Sequence, residues 1–139
     1  MIKKLNTEEI ETINASIEKL KDNEYYKYYF CDDEIINFPE EAYLIDDTYY
    51  IDFTKYDNFM CVGVINLSNK VISTSYFDLI HLLKNGLKYY KKLYLWCYLD
   101  NSISIRFHNL LIKKLNAKQV INDNISIIEL GGLEWNFLK

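Results

Sequence analysis

The chain has 139 residues, half of them apolar, and a formal net charge of −4. That is enough for one domain, residues 1–139, whose core needs no metal or disulfide staple. It leaves no basic groove for nucleic acid, no apolar run long enough for a helical membrane span, and, with Cys31, Cys61 and Cys97 scattered, no disulfide framework or zinc site.

The opening stretch MIKKLNTEEIETIN lacks the apolar core of a secretory signal, so a reducing, cytoplasmic setting is expected. Most acidic residues fall in 1–60 and most basic ones in 61–139. The plain reading is solvated surface. The sharper one is halves that face different partners, or a phosphate-bearing ligand on the second half.

Residues 7–21 predict the first helix. Thr7 is a workable N-cap, Glu8, Glu9 and Glu11 suit the first turn, and Ile10, Ile13, Ile17 and Leu20 make one stripe. Residues 24–41 carry Tyr25, Tyr26, Tyr28, Tyr29 and Phe30 and read as a short helix and a loop. Such a cluster serves as core and rim, or alternatively as a ligand cage. Residues 42–54 read as a hairpin around Asp46-Asp47.

Residues 59–66, FMCVGVIN, are apolar at both alternations, as in a central strand covered on both sides. Gly63 there marks a bulge or a close approach. Residues 75–91 predict a long helix. Ser75 and Asp78 resemble a capping box, and Gly86 is a point for a kink or an end. A strand at 93–99 follows, then a helix at 102–115 capped by Ser102, with Ile103, Phe107, Leu110, Leu111 and Leu115 on one side. Strands at 118–122 and 125–130 flank Asn122-Asp123-Asn124. The order predicts a mixed α/β (α+β) domain, a mostly antiparallel sheet with helices on both faces.

Strand, Asn101, then SIRFHNLLIKKLNAK resembles the C-terminal signature of GNAT-type N-acetyltransferases. There a strand ends near an Asn, a helix of the form A-I-x-F-Y-x-x-L-G-F/A follows, and then a strand. Ser104-Ile105-Arg106-Phe107 matches the A-I-R-F core, and Leu115-Asn116-Ala117-Lys118 stands where L-G-A-K would. The order of elements extends the resemblance over about residues 59–130; the motif itself covers 93–118. It is nearest to GNAT-like proteins of tailed phages. Two departures stand out. The helix after Asn101 is about one turn longer than in the family. The family's glycine-rich pyrophosphate loop, Q/R-x-x-G-x-G/A, is replaced by Asn69-Lys70-Val71-Ile72-Ser73-Thr74-Ser75, with no glycine.

The resemblance implies acetyl-CoA as cofactor, held by Val64 and Ile65 on the strand, by Ser73, Thr74 and Ser75 ahead of the helix, and by Asn101. It implies His108, at the position of the family's Tyr, as the acid that returns a proton to the thiolate; the plain reading of the same residue is a surface or half-buried His on an amphipathic helix. Asp100 and Glu129 are bases by position only, because strand 59–66 carries no carboxylate. Cys97 reads as a buried structural thiol that the spacing pairs with neither His81 nor His108. Two readings stay open. One is acetyl-CoA-dependent N-acyltransfer. The other is a catalytically silent GNAT-like phage protein that is a virion component or binds a host protein. A homodimer is compatible with both; nucleic-acid and membrane partners are not expected.

Overall fold

The computed structural model describes residues 1–19, 38–56, 59–68 and 75–131. The expectations for 24–37, Ser73 and Thr74 lie outside those residues. The described elements run β1 (Ile2–Lys4), α1 (Thr7–Glu18), β2 (Glu41–Ile45), β3 (Tyr49–Tyr56), β4 (Phe59–Asn66), α2 (Ser75–Tyr90), β5 (Lys92–Tyr98), α3 (Ser102–Leu115), β6 (Lys118–Asn122) and β7 (Ile125–Gly131). The seven strands form one sheet in the order β1-β2-β3-β4-β5-β7-β6. Its pairings are mostly antiparallel; β4 and β5 run parallel, in register at Cys61 and Tyr94. No helix among the described residues is long and apolar enough to cross a membrane.

The chain divides into two compact units. The first is Met1–Lys55 with Gly63–Leu79; the second is Tyr56–Val62 with Ile80–Lys139.

In the first unit α1 lays Ile10 and Ile17 on Leu5, Ala42 and Tyr50, with Ile13, Leu44, Ile65 and Leu67 around them. Its N-cap is Asn6, one residue earlier than the sequence suggested. The Asn6 side chain accepts from the Glu9 amide and Glu9 accepts from the Asn6 amide, a complete capping box. Asn outranks Thr as a cap, so the boundary moves toward it. The expected turn at Asp46-Asp47 is present. Both residues have positive φ, 51° and 53°, and the Thr48 amide bonds the Ile45 carbonyl at 3.0 Å. Asp tolerates that left-handed conformation through its short polar side chain.

In the second unit α3 packs on β5 and β7. Its cap is Asn101, whose side chain accepts from the Ser104 amide, rather than Ser102. The buried positions are His108, Leu111 and Leu115, while Ile103 is exposed. The apolar stripe is therefore rotated from the expected one, and an imidazole occupies the place expected of an aliphatic. Asn116 closes the helix at φ 53°, the left-handed role that usually falls to Gly. Helix α2 runs on through Gly86 to Tyr90, with no end there. Gly131 closes β7 at φ 104°, and a Cβ on it would stand 2.1 Å from the Lys91 carbonyl oxygen.

Candidate active site

The sequence-selected residues separate into two settings. In the first unit, Val64 and Ile65 are half-buried on β4, and Ile65 packs against the α1 core. Ser75, the first residue of α2, is buried. Its hydroxyl donates to Asp46 Oδ2 at 2.6 Å instead of serving the expected capping box with Asp78. Asp78 accepts from the Met1 ammonium at 3.0 Å, and the other Asp46 oxygen accepts from the same ammonium. That ammonium and the Ser75 hydroxyl hold the Asp46 carboxyl below its ordinary range.

In the second unit, Asn101 spends its side chain on the α3 cap. His108 is only 2% exposed. Its Nδ1 lies 2.9 Å from Ser126 Oγ and 3.7 Å from Cys97 Sγ, and Gln119 Nε2 donates to Ser126 Oγ at 2.9 Å. The Ser126 hydroxyl accepts from Gln119 and keeps a second lone pair and its own hydrogen, so either ring tautomer of His108 can bond it through Nδ1. Burial pushes His108 down to about 4 and the Cys97 thiol up to about 11. The imidazole is thus neutral at pH 7. An acid that returns a proton to a leaving thiolate needs access to it, and this burial supplies none. The three-dimensional packing also brings Cys97 beside His108, which the linear spacing did not reveal. With the thiol raised, the pair is no activated nucleophile. Of the position-based carboxylates, Glu129 pairs with Lys92 Nζ at 3.0 Å, and Asp100 sits exposed in the turn after β5.

Sequence reasoning passed over Asp52. It lies on β3 opposite Ala42, on the face that α1 covers. As a residue it is half-buried, and Oδ1 accepts from the Gly63 amide at 3.2 Å. Tyr50 and Thr54, two residues to either side on the same strand face, bring hydroxyls close enough to favour its ionised form. Burial of the carboxyl outweighs these groups and lifts Asp52 to about 6. Burial and the Asp52 charge raise the Tyr50 phenol far above its ordinary value, so it stays a donor. Its hydroxyl donates to Asn14 Oδ1 at 3.4 Å.

The Gly63 expectation resolves as a close approach. A Cβ there would lie 2.6 Å from Asp52 Oδ1, so only glycine lets the carboxyl reach the β4 backbone. The signal in the sequence was this one glycine in an apolar strand. It was read without its partner eleven residues earlier. Among the described residues no cluster of His, Cys, Asp and Glu could hold a metal ion.

No protein-family model matches the sequence, and no curated protein is similar to it. Solved structures do match. A domain from Methanocaldococcus jannaschii DSM 2661 superposes with TM-score 0.63 at 13% identity, over 95% of this chain and 97% of that one. A probable acetyltransferase of the GNAT family from Chromobacterium violaceum ATCC 12472 gives TM-score 0.61 at 11% identity, over 97% and 88%. The Campylobacter jejuni N-acetyltransferase PseH, in complex with acetyl coenzyme A, gives 0.55 at 15% identity, over 94% and 99%. At such identities the likeness speaks for the fold, and the fold of this chain is GNAT-like.

Proposed function

We propose that the chain transfers an acyl group from acetyl-CoA to an amine, with Asp52 as the general base. The observation that carries this reading is a carboxyl raised to about 6 beside the β4 backbone. Such a group is ionised at pH 7 yet basic enough to accept a proton, which is where a general base works best. The GNAT-like fold and a structural neighbour bound to acetyl coenzyme A support the class of reaction.

Acetyl-CoA would supply the activated thioester carbonyl. Gly63, Val64 and Ile65 are half-buried rather than sealed, which suits main-chain contact with the cofactor arm. Residues 73–75 precede or open α2, where backbone amides favour a pyrophosphate. Asp52 takes the proton that the incoming amine must lose. In this reading His108 stays a core residue and Asn101 a helix cap.

The test is direct. Acetyl-CoA at ~100 times its dissociation constant should raise stability by ~2.7 kcal/mol. Asp52→Asn should keep that shift and lose turnover. No thermal shift at millimolar cofactor, or an Asp52→Asn variant as fast as the parent, would end the proposal.

One observation favours a second reading, a catalytically silent protein that binds a host or virion protein. The Ser75 hydroxyl is already committed to Asp46, and the sequence 69–75 holds no glycine. That reading expects no shift with acetyl-CoA and a protein that co-purifies.

A further inference from the structure

Among the described residues the margin of the sheet in the second unit is β6, and all five of its residues are exposed. Val120 is 60% exposed and Ile121 58%. An edge strand of this kind presents unpaired amides and carbonyls to whatever strand approaches.

The register shows which groups those are. Asn122 and Ile125 flank the two-residue turn Asp123-Asn124 and stand opposite each other. Partners beside such a turn exchange both hydrogen bonds, and the pattern alternates from there. Residues 118, 120 and 122 therefore bond inward to β7. Gln119 and Ile121 aim their amides and carbonyls outward.

The side chains add a second feature. Val120 stands opposite Ile127, and Ile127 opposite Trp96, so the three form a row across β6, β7 and β5. Cys97 and Ser126 face His108 on α3, so this row is on the other face of the sheet. Trp96 is 36% exposed and stacks edge-on with Tyr98, and Ile127 is half-buried. The apolar row thus runs straight to the open edge and stops at Val120.

We propose that β6 pairs antiparallel with β6 of a second copy of the chain, about a two-fold axis through Val120. This register places Gln119 of each copy opposite Ile121 of the other. These are the residues whose backbone groups point outward, so the ladder closes. It sets Lys118, the only charged residue of β6, against Asn122 and brings no like charges together. It joins the two apolar rows into one, Trp96–Ile127–Val120 meeting its own symmetry mate. A one-residue shift fails on chemistry. An axis at Gln119 sets Lys118 against Val120, and an axis at Ile121 sets Val120 against Asn122. A self-complementary strand of this kind produces an isologous dimer that closes. The inference stands apart from the acyl-transfer reading.

Sedimentation of the full chain at tens of micromolar should give twice the chain mass. Val120→Lys, which opposes two ammonium groups at the axis, should give the single mass with an unchanged circular dichroism spectrum, since the position is exposed. Val120→Cys should link covalently under mild oxidation. Residues facing across such an axis have Cα atoms ~4.5 Å apart, within the reach of a disulfide. Asn122→Cys, which faces Lys118 and stands four residues along from its own symmetry mate, and the unmodified chain with its native cysteines should not link. A parent chain of single mass at these concentrations would overturn the proposal. So would a dimer that persists in Val120→Lys, or one that Val120→Cys fails to link.

Discussion

Asp52 in the first unit and His108 in the second are both titratable side chains that burial has pushed toward neutrality. They differ in what surrounds them. His108 bonds the Ser126 hydroxyl, which also accepts from Gln119, and is 2% exposed. Asp52 is half-buried as a residue, and its Oδ1 accepts from the Gly63 amide on β4. Burial alone marks neither as functional. A group has to be both perturbed and reachable, and of the two Asp52 is the less enclosed residue.

The sharpest way to break this comparison is to remove the two groups in turn and measure turnover. Asp52→Asn keeps the shape and cannot accept a proton. A general base contributes about 10²–10⁴ in rate, so kcat should fall by that order with the KM for acetyl-CoA nearly unchanged. His108→Gln, whose amide offers Ser126 both a donor and an acceptor, should leave kcat within a few fold. In the parent the rate should fall on the acid side below about pH 6, where Asp52 takes up its proton. A rate that follows His108 instead would exchange the two assignments.

Stability against pH provides a second contrast of about 3 kcal/mol each way, at ~1.4 kcal/mol per unit. The folded pKa of Asp52 lies above its ordinary value, 3.8 raised to about 6. Its contribution is therefore full below pH 3.8 and is lost as pH rises through 6. The folded pKa of His108 lies below its ordinary value, 6.5 lowered to about 4. Its contribution is full above pH 6.5 and is lost as pH falls through 4. The two slopes are opposite over nearly the same window and offset each other in the parent. Relative to the parent between pH 4 and 6, Asp52→Asn should gain stability as pH rises, and His108→Gln should lose it. Denaturant unfolding at half-unit pH steps measures both. Parallel curves for all three proteins would show that neither group is shifted as described.

A smaller effect separates reach from burial at Asp52 itself. Gly63→Ala places a methyl where Oδ1 now lies, 2.6 Å away, so the carboxyl must withdraw from the Gly63 amide. Losing a bond to a charged group costs ~1.5–3 kcal/mol. Because that bond favours the ionised form, the acid limb of the rate should move above pH 6. An unmoved limb with lost stability would make Gly63 a packing residue only.

Most of the backbone was legible because its signals are local. The strand at 59–66, the helix at 102–115 and the turns at Asp46-Asp47 and Asp123-Asn124 each follow from periodicity or turn chemistry within a few residues. What was missed depends on pairing across the sheet. Asp52 matters because the chain folds Gly63 against it. His108 is core because β5 and β7 bring Cys97 and Ser126 to the same helix face. The strand Ile2–Lys4 is three residues long, too short for any pattern to show, and exists because β2 offers its edge. The face on which a polar residue of a helix or strand lands is a tertiary fact, and the candidate site consists of such residues.

The smallest expected effect concerns two asparagines that look alike. Asn6 and Asn101 both cap helices, accepting from the Glu9 amide at 2.8 Å and the Ser104 amide at 3.3 Å. Replacing a cap with Ala costs about 1 kcal/mol. Asn6→Ala loses one half of a reciprocal pair with Glu9 and should cost the full amount. Asn101→Ala gives up a longer bond with no return partner at N3 and should cost less. If Asn101 is a cap alone, the KM for acetyl-CoA stays put in both variants. A KM that rises only in Asn101→Ala would restore the cofactor role that its place in the sequence suggested. It would also show that one side chain there serves helix and ligand alike.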